Sequence, residues 1–185
     1  YCDKVIIDDK QAAYDAVQML IDKGKNKIAL VTTVDYVSVG KLRTDGYTKA
    51  LLDNGLKFDE NLIIKIEDIE NCEIKIGKLI EDKAIDAVLA VNELFAVTII
   101  KMASKKELKV PEDLSVIAFT DGIISQYSTP TITTVSQNGI KMGQKAAKML
   151  IERLELEDNE DDEEAVEHYK TEIIETQLIQ RESTK

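Results

Sequence analysis

Runs such as Ile28-Ala29-Leu30-Val31 and Ala87-Val88-Leu89-Ala90-Val91 carry no polar residue in either phase of a strand, and they recur between longer amphipathic stretches. A strand that is apolar on both faces has to be covered on both faces. Antiparallel sheets with one wet side alternate instead, so the pattern demands a mostly parallel sheet with helices on either side. Val5 to Ile7 opens the series. Gln11 to Ile21 follows as a helix through Ala13, Ala16, Val17, Leu20 and Ile21, stopped at Lys23-Gly24. After the strand Ile28 to Val31, the spacing predicts a helix over Leu42 to Leu52, ended by Asn54-Gly55, then a strand over Leu62 to Ile66 and a helix over Cys72 to Ile80. The strand Ala87 to Val91 leads to a helix from Leu94 to Ala103. Pro111 fixes its own φ and biases Val110 away from helix, which sets a turn before the strand Leu114 to Ala118.

Thr129 to Val135 is β-branched and reads as extended chain, Gly139 to Leu154 as helix, and Thr171 to Ile179 as one terminal strand. Between the last two, Glu155 to Glu164 holds too much like charge to pack and is expected to be a solvated loop. No internal repeat or interdomain linker is visible.

Charge narrows the partners. With 24 Lys and Arg against 35 Asp and Glu, the formal charge is -11, which repels a phosphate backbone and makes this chain alone a poor nonspecific nucleic-acid binder. Cys2 and Cys72 are too few for a disulfide scaffold and suit a reducing compartment, so a cytoplasmic location is expected. No apolar run approaches the ~18 residues a membrane span needs, and Tyr1-Cys2-Asp3-Lys4-Val5 is no secretion signal. The first residue is not Met, which raises the expectation of a fragment. His168, the sole histidine, lies beside the acidic stretch, and Gly-x-Ser-x-Gly and phosphate-cradling glycine loops are absent. Neither an enzyme nor a metal or organic cofactor is expected.

Candidate ligand groups cluster where strands end. Asn92 and Glu93 follow a buried strand, and open parallel sheets present their crevices at such ends; the plainer reading of Asn92 is a cap on the next helix. Arg43 lies near the start of the second helix, and its planar fork suits vicinal hydroxyls or a carboxylate, although a surface ion pair explains it too. Asp8-Asp9 precedes the first helix, where a carboxylate caps free N–H groups. Asp121, beside Gly122, reads equally as a ligand acceptor or a turn residue. Gln137 stands at a hinge position or in an ordinary polar loop.

Those same residues carry a likeness to a known family. Asp8 to Ile28, Arg43-Thr44-Asp45-Gly46-Tyr47, Asn92 to Ala96, Val110 to Phe119 and Thr129-Pro130 to Gln137 resemble the effector-binding region of the lactose and galactose repressor family. Ile7 to Gly24 and the ending Arg181-Glu182-Ser183-Thr184-Lys185 look closest to its catabolite control proteins. The resemblance implies a lobe of the periplasmic-binding-protein type, two such lobes joined by three crossings, and an effector in the cleft between them. Residues 1–137 and 170–185 would form the second lobe, 138–156 a returning helix on a first lobe that is mostly absent, and 157–169 an acidic loop. A helix-turn-helix module, also absent, would meet operator DNA, and a homodimer is expected; the outer-face helices Cys72 to Lys83 and Leu94 to Lys106 are candidate dimer surfaces, although core packing explains their apolar stripes equally well.

Carried over by position, Arg43 matches the arginine that grips effector hydroxyls, Asn92 the cleft asparagine and Gln137 the crossover glutamine. Thr120 stands where the family has a ligand aspartate, and a hydroxyl lacks the charge-assisted acceptor that holds a sugar diol. The effector class implied is therefore a small sugar-like or phosphorylated molecule. Catabolite control proteins also take a seryl-phosphorylated phosphocarrier protein as partner, but Ile123 to Tyr127 has no arginine where that subgroup carries one. Two alternatives stay open: a periplasmic sugar-binding protein of a transporter, and an enzyme on a doubly wound sheet.

Overall fold

The computed structural model describes residues 2–34, 38–157 and 169–185. Residues 158–168, which hold most of the acidic loop and His168, lie outside the described residues; Glu155 to Glu157, read as the start of that loop, instead continue the helix before it. In chain order the elements are β1 (Lys4–Ile7), α1 (Asp9–Asp22), β2 (Ile28–Thr33), α2 (Ser38–Asp53), β3 (Ile63–Ile66), α3 (Cys72–Lys83), β4 (Ala87–Ala90) and α4 (Glu93–Lys105). These are followed by β5 (Ser115–Phe119), α5 (Ile123–Tyr127), β6 (Thr133–Ser136), α6 (Gly139–Glu157), β7 (Thr171–Ile174) and β8 (Gln177–Ile179). Two compact units divide the chain, Asp9–Ser136 with Leu178–Lys185, and Tyr1–Asp8 with Gln137–Gln177, so the backbone passes between them three times.

In the larger unit six strands are ordered β3-β2-β4-β5-β6-β8, and the β2·β3, β2·β4, β4·β5 and β5·β6 pairs are all parallel. Every residue of β4 and β5, and all of β2 but Thr33, is buried. That is the double-sided cover the apolar runs demand. The covering helices pack in pairs, α1 on α2 and α3 on α4. Because β2 is followed in sequence by β3 on one side and in space by β4 on the other, the strand order reverses at β2. Crevices outside the carboxyl ends of strands form at such reversals.

Two residues of α2 set the α1·α2 contact. A Cβ on Gly46 would stand 2.1 Å from the Lys10 carbonyl oxygen, so the helices touch where no side chain fits. Next to it, Tyr47 is wholly buried and donates its hydroxyl to the Ile28 carbonyl at 2.8 Å. Burial raises the Tyr47 phenol well above its ordinary pKa.

The smaller unit contains β1 paired in parallel with β7, Lys4 opposite Thr171, and α6 packed on both. Asp3 binds Arg153 through both carboxylate oxygens, at 2.7 and 2.9 Å, and accepts the Lys170 N–H at 2.7 Å. Those bonds hold the Asp3 carboxyl down at about 2.

Three features differ from the sequence reading. The terminal extended stretch is two strands in two sheets, β7 beside β1 and β8 beside β6. Helix α2 starts earlier, at Ser38, and a short helix, α5, follows β5. Periodicity could not separate β7 from β8, since both are extended; the division arises from which sheet edge each half meets.

Candidate functional site

At the carboxyl ends of β2, β4 and β5 the larger unit gathers charged and polar side chains around Arg43. Helix α2 delivers this arginine to the sheet end, where it is 5% exposed. Its Nε donates to Asp9 Oδ1 at 2.7 Å, Nη2 approaches the same oxygen at 2.7 Å, and Nη1 donates to the Val91 carbonyl at 2.7 Å. The Phe119 ring lies beneath, its centroid 3.6 Å from the guanidinium carbon. One side chain thus ties the start of α1, the end of β4 and the end of β5 together. A buried guanidinium is costly unless paired, and burial does lower the Arg43 pKa while Asp9 opposes the fall.

Asn92 begins α4 as its N-cap, Oδ1 accepting the Phe95 N–H at 2.8 Å. Glu93 turns the other way. Its Oε1 accepts the N–H groups of Gly122 at 2.7 Å and Ser125 at 3.0 Å and the Ser125 hydroxyl at 2.5 Å, which ties the start of α5 to α4. A Cβ at Gly122 would lie 2.5 Å from Glu93 Oε2, so any larger residue there would displace the Glu93 carboxylate from these bonds.

Thr120 is exposed directly after β5, with its N–H donated to the Val135 carbonyl at 3.0 Å. Its φ of 77° is left-handed, a strained region for a β-branched residue. Asp121 Oδ1 accepts the Thr134 hydroxyl at 2.9 Å and pairs with Arg181 Nη2 at 2.6 Å. Thr32, at the end of β2, has a buried hydroxyl with no hydrogen-bond partner among the described residues.

Arg43, Asn92, Thr120 and Asp121 therefore share one sheet end of the larger unit. Asp8 and Gln137 belong to the smaller unit, Asp8 exposed just past β1 and Gln137 half-buried just past β6. Asp9 rather than Asp8 is the carboxylate under Arg43. Sequence reasoning treated the two as one capping pair; only Asp9 begins the helix and faces inward. Glu93 and Arg181 had also not been given these contacts. Glu93 stood in a motif read for its neighbour, and no local pattern links Arg181 to Asp121, 60 positions earlier in the chain.

Chemically the rim is a set of ion pairs and hydrogen bonds. Its carboxylates have partners within the protein, Asp9 and Asp121 in ion pairs with Arg43 and Arg181, and Glu93 in hydrogen bonds from backbone and hydroxyl donors. The hydroxyl–carboxylate contacts there, Ser125 on Glu93 and Thr134 on Asp121, involve hydroxyls of fully buried residues. Among the described residues no group of three or more His, Cys, Asp or Glu could hold a metal ion, and no helix is long and apolar enough to cross a membrane.

Residues 17–184 match the profile of the periplasmic binding protein-like domain family. The transcriptional regulator MalR of Clostridium butyricum is 33% identical over 99% of this chain and 52% of its own length. Among solved structures, the CelR–cellobiose complex superposes with a TM-score of 0.87 at 26% identity, covering 98% of this chain and 54% of that one. The transcription regulator CcpA of Lactococcus lactis superposes with a TM-score of 0.84 at 30% identity, covering 98% and 64%. The chain spans about half the length of the curated relatives it matches.

Proposed function

This chain belongs to the periplasmic binding protein-like family, as an effector-binding domain of the LacI/GalR type, and from that premise we propose that it senses a small sugar-like or phosphorylated effector for a transcription regulator. The arrangement of Asp9, Arg43, Val91 and Phe119 is what carries this reading. Two protein acceptors, Asp9 Oδ1 and the Val91 carbonyl, orient the guanidinium by three contacts, to Nε and to one hydrogen on each terminal nitrogen, leaving the rest of a pre-aimed fork for ligand oxygens. Asn92 uses Oδ1 as the cap and keeps its amide hydrogens for a ligand acceptor. Thr120 presents a hydroxyl at the same sheet end, and Gln137 and Asp8 mark two of the crossings, the positions that ligand-driven lobe movement would use. The similar CelR structure is a cellobiose complex, which favours a saccharide over other polar ligands.

Regulation would follow from differential binding. An effector that contacts one arrangement of the lobes better than another shifts their balance, and in a dimer this changes the spacing of DNA-reading heads carried by the intact cytoplasmic regulator. A dimer surface is supported by apolar side chains left exposed on neighbouring segments, Ile69, Ile74, Leu94, Ile123 and Tyr127. A phosphocarrier protein is a less favoured partner, because α5 presents Ile123, Ile124 and Tyr127 and no arginine.

Calorimetry of the intact protein against cellobiose, glucose and glucose 6-phosphate tests the proposal. Binding to at least one is expected, weakened by about 1.5 to 3 kcal/mol in Arg43→Lys, which keeps the charge and loses the fork. Thr120→Asp separates the two effector classes: a carboxylate there strengthens a neutral diol and repels a phosphate. Affinity for all three sugars that ignores Arg43→Lys would remove Arg43 from the site.

A further inference from the structure

The segment Arg181 to Lys185 closes against β5 and β6 through an unusual density of polar contacts. Ser183 Oγ donates to the Val116 carbonyl at 2.5 Å and accepts the Thr133 N–H at 2.8 Å, and Thr184 Oγ1 meets Thr133 Oγ1 at 2.7 Å. Glu182 accepts both the N–H and the hydroxyl of Thr131. These contacts fasten the tail to the sheet. Arg181 reaches further. Its Nη1 donates to the Ile132 carbonyl at 2.9 Å and to Thr134 Oγ1 at 3.0 Å, while Nη2 grips Asp121 Oδ1 at 2.6 Å.

Asp121 follows Thr120, the residue in left-handed backbone, which in turn follows Phe119, the ring under Arg43. A strained turn persists only where its surroundings hold it. Two anchors hold this one from the far side: Glu93 on the Gly122 N–H, and Arg181 on the Asp121 carboxylate. We propose that Arg181 is a positioning residue for the recognition rim, gripping Asp121 so that the Phe119–Gly122 turn keeps Phe119 beneath the Arg43 guanidinium and Thr120 exposed at the sheet end. The proposal rests on the reading that this rim receives the effector. It also gives the Asp121 carboxylate a task inside the protein, since its Oδ1 is shared by Arg181 and Thr134.

A tail that merely fastens β8 would predict something different. Ser183→Ala loosens the same segment without touching Asp121, so it serves as the matched control, and Asp121→Ala releases the turn while leaving the Ser183 and Glu182 anchors in place. Hydrogen exchange of the Thr120 and Gly122 amides in the intact protein reads the turn, and the Arg43 Nε–H resonance reads the ring stacked beneath it. Arg181→Ala and Asp121→Ala should each speed Thr120 and Gly122 exchange about tenfold relative to amides of α1 and move the Arg43 signal. Arg181→Lys should fall between, because an ammonium cannot span Asp121, Thr134 and Ile132 together. Ser183→Ala should leave the ratio within about twofold. If Arg181→Ala and Ser183→Ala loosen the turn equally, or Arg181→Ala leaves it unchanged, Arg181 only fastens the tail. Should Arg181→Ala fail to fold, Asp121→Ala decides by the same criterion. Cellobiose titration of the same proteins is a separate arm: an unbound wild type counts against the effector reading, while the exchange ratios still judge Arg181.

Discussion

The two units use the same kinds of element to opposite effect. In the larger one, β2, β4 and β5 are buried along nearly their whole length, and the polar residues at their carboxyl ends stand on that rigid floor. In the smaller one, Ile7 alone of the β1 and β7 residues is buried and the others are exposed or half-buried, Ile173 is 61% exposed, and Ile140, Leu150, Ile151 and Leu154 of α6 are exposed. A buried pair such as Arg43 with Asp9 offsets its desolvation only where the surroundings hold its geometry. The polar rim with its buried pair therefore belongs with the dense sheet, and an ion pair of the smaller unit, Asp3 with Arg153, stays part-exposed and comparatively replaceable.

Substitutions can break that contrast. The largest effect is expected for Asp9→Ala, which strands a buried guanidinium and should cost about 3 to 5 kcal/mol in denaturant unfolding. A loss under about 1 kcal/mol would mean that the rim relaxes as readily as a surface pair does. Gly46→Ala should follow at about 3 kcal/mol, because a new methyl meets the Lys10 carbonyl oxygen, which is backbone and cannot swing aside. Gly77→Ala makes a useful partner to it. The only atom its methyl would approach under 3 Å is the end of Met102, a flexible side chain, so a change below about 1 kcal/mol is expected.

In the smaller unit, Ile173→Thr should shift stability by no more than about 0.5 kcal/mol, as an exposed strand position does. A larger loss would show that this face is covered in solution.

The smallest effect concerns acid. Asp3 is held at about 2 by Arg153 and the Lys170 N–H, against an ordinary value of 3.8. Its contribution is complete above pH 3.8 and fades as pH falls through 2. Carboxyl titration by NMR should find Asp3 ionised at pH 3 in the wild type and shifted back toward its ordinary range in Arg153→Gln. An unshifted Asp3 in the wild type would dismiss the pair as an interaction in solution.

Much of the scaffold was legible because burial leaves a periodic trace. The apolar-on-both-faces runs became β2, β4 and β5, Asn92 caps α4 as the residue type suggests, and Gly24 and Gly55 follow α1 and α2 with positive φ. Legibility stopped at pairings. Thr171 to Ile179 had one extended pattern and two sheets to join. The pair Asp8-Asp9 had one local rationale and two different surroundings. Ile123 to Tyr127 is too short for periodicity to register, and its start depends on Glu93, some 30 residues away in sequence.

By itself, then, the amino-acid order determined which segments must be hidden, hence a parallel sheet between helix layers and a polar rim at its strand ends. That follows from solvent: an apolar run is unfavourable in water whatever its neighbours are. Which charges meet was decided only when the chain closed on itself. Arg43 finds Asp9, Val91 and Phe119, and Arg181 finds Asp121, through contacts spanning 34 to 76 positions along the chain. An ion pair is a property of distance in space, and distance along the chain does not encode it.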